Sequence, residues 1–376
     1  MTIPEFDRVF YTAATQSENL GDIVLAEEVV RRARPLGQLL VDDRDCPTDY
    51  CALLALAPNE SVRQSNKGFK RQMLMAALRR CLGRAGRVHC LLKPGNLKGS
   101  EPGLKQWAYI GWLTVLRVLG VEISRYGSSI ELSGLAAQRI ERAKARNFTD
   151  YTLRDDASIA LARRSGVTSV RYFPDLALGL DVASGGPRPY LCASFRNDLD
   201  TGEGHSIDEA VDRKVALIER ALVAFPGTKP LLVSQVYRDD EFNRRLAERL
   251  NGEFIAFEGC ATSKARLFES YQGSRLVLSN RLHVLLFGAS RGALPVPVVD
   301  RVSNAKVVNV LGTLGFQALV HDVADPVSFS DYLTRIASEE RDVLARLQTV
   351  FAQARTQHFA PRVGRTGGDD VQGKRS

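Results

Sequence analysis

Short apolar runs alternate with longer amphipathic stretches along most of this 376-residue chain, and the alternation runs through twice. In the first half, apolar runs at Phe6–Thr12, Gln38–Val41, Cys51–Ala57, Val88–Leu92, Val121–Tyr126, Tyr151–Leu153 and Ser169–Phe173 read as strands. Helical periodicity separates them at Asp22–Arg34, Lys67–Leu82, Leu104–Leu119 and Leu135–Ala145. The stretch Val182–Pro189 (VASGGPRP) breaks the pattern as a linker. Strands then resume at Tyr190–Phe195, Pro230–Val236, Phe254–Phe257, Arg275–Leu278, Pro295–Val299 and Ala318–His321, again with helices between. Strands that alternate with helices imply parallel sheets covered on both faces. The chain therefore reads as two α/β, Rossmann-like domains facing a cleft. Their expected limits are 1–185 and 186–327. A segment at 328–360 carries a helix long enough to pack back on the first domain, and a Gly-, Arg- and Asp-rich tail at 361–376 reads as disordered.

Charge and cysteine usage narrow the classes. No run of 18 apolar residues exists, so no helix is expected to span a bilayer, and Met1–Asp7 does not read as a signal peptide. Six scattered cysteines lack any CxxC pair. Cys51, Cys90 and Cys192 each sit within an apolar run, as core thiols do. The five histidines form neither HxH nor HExxH, which argues against zinc. The expected location is cytoplasmic. Fifty-one Lys and Arg against 43 Asp and Glu leave +8. That excess is local: Ser61–Lys105 holds eleven basic residues and one acidic, Glu101, a charge of +10, so the rest of the chain sums to −2. Trp107, Tyr109 and Trp112 follow directly. Cations beside aromatic rings suit an anionic membrane surface at the inner face of the cytoplasmic membrane, or the pyrophosphate and sugars of a lipid-linked oligosaccharide. The plainer reading is a solvated helix face, with Leu74, Leu78 and Leu82 as the buried stripe and the tryptophans in the core.

Four short motifs fall at expected strand-to-helix junctions, where open α/β sheets bind ligands. Asn19-Leu20-Gly21-Asp22 follows the first strand; Asp22 is either a base or hydroxyl orienter, or merely a helix N-cap. Tyr151-Thr152-Leu153-Arg154-Asp155 ends another strand, with Pro174-Asp175 downstream; the local alternative is an Arg154–Asp155 ion pair capping the next helix. Ala193-Ser194-Phe195-Arg196 ends the first strand of the second half, offering an Arg suited to carboxylate or phosphate; its plain alternative is a surface pair with Asp198 or Asp200. Ser279-Asn280-Arg281-Leu282-His283 is the sharpest. A helix start there favours anions, Arg281 adds charge, and His283 can exchange a proton near neutrality.

Taken in order over Tyr11–Phe316, with Gly292-Ala293-Leu294-Pro295, Lys306 and Leu311-Gly312 following, these motifs resemble the polysaccharide pyruvyl transferase family. The resemblance implies a fold like that of the GT-B glycosyltransferases. It also implies transfer of the pyruvate carbons of phosphoenolpyruvate to a sugar of a polysaccharide, such as an exopolysaccharide, or of its lipid-linked precursor, with phosphate released and a cyclic ketal formed. On that reading His283 and Asp22 are the catalytic candidates. Arg196, Ser279, Asn280, Arg281, Leu282 and Lys306 bind the donor, and Asn19, Gly21, Arg154, Asp155 and Asp175 serve the acceptor side or the structure. No cofactor and no metal are called for, because the Arg groups can neutralise phosphate. A nucleotide-sugar glycosyltransferase on the same fold is the chief alternative. A nucleic-acid-binding protein is a weaker one, since no zinc finger, RNP-like or helix-turn-helix pattern accompanies the basic charge, and nucleic acid is not an expected partner.

Overall fold

A computed structural model describes residues 7–13, 16–47, 49–65, 68–99, 102–183, 185–196, 206–324 and 328–359. The segment 361–376, Asp198, Asp200 and Lys67 lie outside the described residues.

Two parallel sheets form the frame. The first contains β1 (Arg8–Thr12), β2 (Gln38–Asp42), β3 (Val88–Leu92), β4 (Gly95–Lys98), β5 (Glu122–Glu131), β6 (Asp150–Leu153) and β7 (Val170–Tyr172). Its order is β2-β1-β3-β5-β6-β7, with β4 paired to the far half of β5. The second contains β8 (Tyr190–Ser194), β9 (Lys229–Ser234), β10 (Glu253–Ala256), β11 (Ser274–Ser279), β12 (Leu294–Val299) and β13 (His321–Asp322), in the order β10-β9-β8-β11-β12-β13. Strand order therefore reverses at β1/β3 in one sheet and at β8/β11 in the other. Such reversals open a crevice at the carboxyl ends of the strands. The central strands β8, β11 and β12 are buried along nearly all their length, with apolar centres, because helices cover both faces.

One apolar core runs through both halves. Val9, Tyr11 and Val41 from one face of the first sheet join Leu176–Leu178 and then Leu191, Val277 and Phe287 of the second. The opposite face of the first sheet holds its own core around Phe10, Met73, Leu113 and Ile123. Polar contacts also cross between the halves: Leu20 N–H donates to the Gln235 carbonyl at 3.0 Å, and Lys264 pairs with Glu27 at 2.6 Å.

Two sequence expectations are revised. Cys51–Ala57 is not a strand: Tyr50–Leu53 is a helical turn, and Ala55 takes a positive φ of 49°. A short apolar run cannot distinguish the two, and Ala and Leu prefer helix. Leu78 and Leu82 are exposed, and the buried stripe of their helix, Phe69–Cys81, is Phe69, Met73, Ala76 and Ala77. The long helix Phe329–Ala354 packs on the second-half helices Ile207–Ala224 and Leu282–Ser290. It also meets the first half at the turn Leu176–Gly179, and the segment after it, Arg355–Phe359, brings the Phe359 ring to 5.3 Å from Phe173.

Candidate active site

The carboxyl ends of β1, β6, β8 and β11 converge between the two sheets. Each sequence motif supplies one piece, and local chemistry places it.

Asn19, not Asp22, caps the helix Leu20–Ala33; its Oδ1 accepts the Gly21 N–H at 3.0 Å. This leaves Asp22 in the first turn, half-buried and facing β4, where a Cβ on Gly95 would stand 4.0 Å from its Oδ1. Gly21 lies against His283 of the other half so closely that a Cβ there would sit 2.2 Å from Nδ1. The glycine thus makes room for the His283 imidazole, which packs against this backbone from across the cleft.

The Arg154-Asp155 pair divides into two tasks. Asp155 caps the helix Asp156–Arg164, accepting the Ser158 N–H at 2.7 Å and the Ser129 hydroxyl at 2.6 Å. Arg154 turns away from it. Fully buried, its Nε donates to Ser129 Oγ at 2.8 Å and its Nη1 to Asp175 Oδ2 at 2.5 Å. Asp175 also accepts the Ala177 N–H at 2.9 Å. Burial alone would raise the Asp175 carboxyl; the Arg154 charge and the contact with His283 outweigh it and hold the group well below the usual carboxylate range.

His283 sits in the first turn of Leu282–Ser290, a helix buried on all sides. Its ring stacks on Phe287 at 5.8 Å, and Nε2 lies 3.7 Å from Asp175 Oδ2. Burial pulls its pKa below 6.5, and Lys306 and Arg154 push the same way against the attraction of Asp175. The imidazole is therefore neutral at physiological pH, oriented by a carboxylate. Lys306, at the start of Ala305–Thr313, is half-buried beside the same groups. Burial, then the Arg154 charge, lowers its ammonium to about 8, against the pull of Asp175 and Asp22.

Arg281 is the N-cap of the His283 helix, and its backbone N–H donates to Ser279 Oγ at 3.0 Å. Its guanidinium forms an ion pair with buried Asp239. Burial depresses its pKa, as do Arg196 and Arg238, against that pair. The end of β8 is fastened to β11 in two places: Ser279 Oγ donates to the Ser194 carbonyl at 2.5 Å, and Asn280 Oδ1 accepts the Arg196 N–H at 2.9 Å. Ser279 and Asn280 thus build the turn, while the Leu282 side chain belongs to the apolar core. Asn243 braces the same strand end, accepting the Phe195 N–H and donating to its carbonyl, both at 2.9 Å. Asp239 and Asn243 were not singled out in the sequence. They lie in a charge-rich helix and its lead-in turn, where nothing distinguishes them from surface residues.

Arg154 Nη2, Arg281 Nε and His283 Nε2 are buried with no hydrogen-bond partner among the described residues. Orphaned polar groups are costly and rare, and here they cluster with Lys306 at a helix start, as expected of a site that receives an anion. Next to the Asn19–Val236 bridge between the halves lies a cavity of about 640 Å³, lined by Glu18, Asp49, Tyr50, Tyr237, Asp240 and Glu258 among others. Among the described residues no three His, Cys, Asp or Glu side chains gather to hold a metal ion, and no helix is long and apolar enough to cross a membrane.

A sequence profile of the polysaccharide pyruvyl transferase family matches residues 99–293. The span includes Arg154, Asp175, Arg196, Arg281 and His283, and leaves Asn19, Gly21, Asp22 and Lys306 outside. No curated protein sequence matches the chain. Among solved structures, Anabaena HepE in complex with UDP and glucose is 11% identical, with 93% of this chain and 94% of that one covered and a TM-score of 0.52. A UDP-GlcNAc 2-epimerase from Neisseria meningitidis, bound to UDP-GlcNAc, is 6% identical over 92% and 93%, with a TM-score of 0.48. An uncharacterised Klebsiella pneumoniae protein is 15% identical over 85% and 93%, with a TM-score of 0.41. The fold is of the two-domain GT-B type, as HepE shows at an identity that speaks to fold alone.

Proposed function

The chain belongs to the polysaccharide pyruvyl transferase family, and from that premise we propose that it transfers the pyruvate carbons of phosphoenolpyruvate to two hydroxyls of a glycan or lipid-linked oligosaccharide. Phosphate leaves and a cyclic ketal forms. The observation that supports this reading most is the gathering of Arg154, Arg281, Lys306 and neutral His283 at one helix start between the halves. Phosphoenolpyruvate carries a carboxylate and a phosphate. It needs convergent cations, an acid for the enol methylene and a base for the attacking hydroxyl.

The protons balance as follows. The two sugar hydroxyls give up two protons; one ends on the methylene carbon, making it a methyl group, and the other leaves with phosphate. In our reading neutral His283, oriented by Asp175, moves the hydroxyl proton. Lys306, near pKa 8, serves as proton donor or as counter-charge to phosphate. Asp22 lies on the acceptor side, and the cavity next to the Asn19–Val236 bridge, with Tyr237 and several carboxylates, offers a ring face and hydroxyl acceptors for a sugar. Arg196 and Arg281 hold the donor anions.

Phosphate release from phosphoenolpyruvate across a panel of sugar acceptors, with the product mass measured, tests the reaction. Thermal stabilisation by UDP-sugars and none by phosphoenolpyruvate would overturn it in favour of a nucleotide-sugar transferase. Arg196→Ala should raise the donor KM by roughly ten- to a hundredfold, with poor rescue by Lys. It is a cleaner probe than Arg281→Ala, which also strands the buried Asp239 carboxylate. Gly21→Ala should keep its helix folded, since Ala is the better helix former. The new methyl group displaces the imidazole, and kcat should fall on the order of a hundredfold with donor KM little changed. Wild-type kcat in that variant would remove His283 from the reaction.

A further inference from the structure

The helix Leu104–Val118 lies on the outer face of the first sheet, and its solvent side is apolar. Leu104 (88% exposed), Trp107 (52%), Val115 (48%) and Val118 (78%), with exposed Ala108 and Gly111, form one stripe at helical spacing. The inner side of the same helix buries Ile110, Leu113 and Leu116 in the core. A helix apolar on both sides in a water-facing layer is an unpartnered surface.

The neighbouring helix Phe69–Cys81 continues it. Both pack into the same core, and Arg80 of one reaches Gly120 at the end of the other, where a Cβ would stand 3.0 Å from Nε. Its outward ridge carries Met75, Leu78 and, just beyond it, Leu82. On its flank is a depression of about 310 Å³, lined by Arg8, Arg71, Arg79, Gly68, Gln72, Met75 and Ala76, without a carboxylate. The surrounding segment is the +10 stretch.

We propose that this face docks on an anionic lipid bilayer, with the depression receiving a headgroup phosphate and the stripe from Leu104 to Val118 seated at headgroup level. Charge decides the occupant. A second copy of the chain meeting this face about a two-fold axis would press two +10 regions together. An anionic membrane neutralises one, and a half-exposed Trp107 beside cations matches the interfacial preference of aromatic rings. The face also bears on the acceptor. The stripe begins at Leu104, soon after β4 in the chain, and Gly95 of β4 stands beside Asp22, so docking brings the mouth of the cleft to the surface where a lipid-linked glycan resides.

The test is co-sedimentation of the full chain with phosphatidylcholine vesicles, with and without phosphatidylglycerol. Binding is expected only with phosphatidylglycerol and should fall with salt. Changing Arg8, Arg71 and Arg79 together to Gln should weaken it on the order of a hundredfold. Leu104→Asp with Val118→Asp should abolish it at low salt. In a Trp112→Phe background, Trp107 emission should shift to the blue on vesicle addition. Both surface variants should release phosphate from phosphoenolpyruvate with a water-soluble acceptor at the wild-type rate, which separates failure of this proposal from failure of the donor reading. Equal binding to neutral vesicles, no binding to either, insensitivity to both variants, or a stable dimer dissolved by Val118→Asp would each overturn it.

Discussion

Replacing His283 with Ala should lower kcat by about 10²–10⁴ while the fold survives, because a positioned general base contributes about that much. The pH profile gives the sharper reading. His283 is held below its ordinary 6.5 by burial, so its basic form persists through neutrality and the acid limb of kcat/KM lies below that value. Lys306 is brought down to about 8. If its charge is needed, the alkaline limb falls near there, far below the ordinary lysine range of about 10.4. His283→Ala should erase the acid limb and keep the alkaline one; Lys306→Met should do the reverse. A wild-type profile in both variants, measured by phosphate release, would exclude the pair from proton transfer.

Arg154→Met is expected to cost about 3–5 kcal/mol of stability, the penalty for stranding a buried charge when its partner is removed. In the native protein the Asp175 carboxyl lies below its unfolded value of about 3.9. Its contribution is therefore complete above that pH and is lost only as acid reaches the lower folded value. Without Arg154, burial is the dominant influence and the folded pKa rises above the unfolded one. The sign then reverses: the variant should gain stability as pH falls from 7 toward about 5, whereas the wild type should not. Adding Asp175→Asn should recover most of the lost stability at neutral pH, but not the activity, since the imidazole would lose its orienting charge. Chemical denaturation across pH would show both. A variant equally stable at all pH values would mean that water reaches Asp175 and that the pair is not structural.

These two experiments probe groups from opposite halves of the chain, Arg154 and Asp175 from one and His283 and Lys306 from the other. Arg154, Asp175 and His283 were visible in the sequence as residues of short motifs near strand ends, and Lys306 only through the family resemblance. Motif and periodicity identify which residues stand at carboxyl ends, because a strand of period two followed by a helix of period 3.6 leaves a recognisable junction. They do not say which junctions meet. Arg154 beside Asp155 reads as a local pair, yet it spans to Asp175 because β6 and β7 are neighbours and the helix cap already occupies Asp155.

The sequence by itself was sufficient for two doubly wound halves, for the junctions at Asp22, Arg154, Arg196 and His283, and for the local concentration of positive charge. All of these are one-dimensional properties, set by spacing along the chain. Only the tertiary structure decided that Gly21 is small for the sake of His283, that Asp239 holds Arg281, that Asn243 braces β8, and that Leu78, Leu82 and Trp107 face outward. Each of those depends on a contact between segments far apart in the chain, or on which side of an amphipathic helix meets the sheet. Along the outer helix Leu104–Val118 both sides are apolar, so hydrophobicity alone could not choose, and packing against Ile123 and its neighbours did.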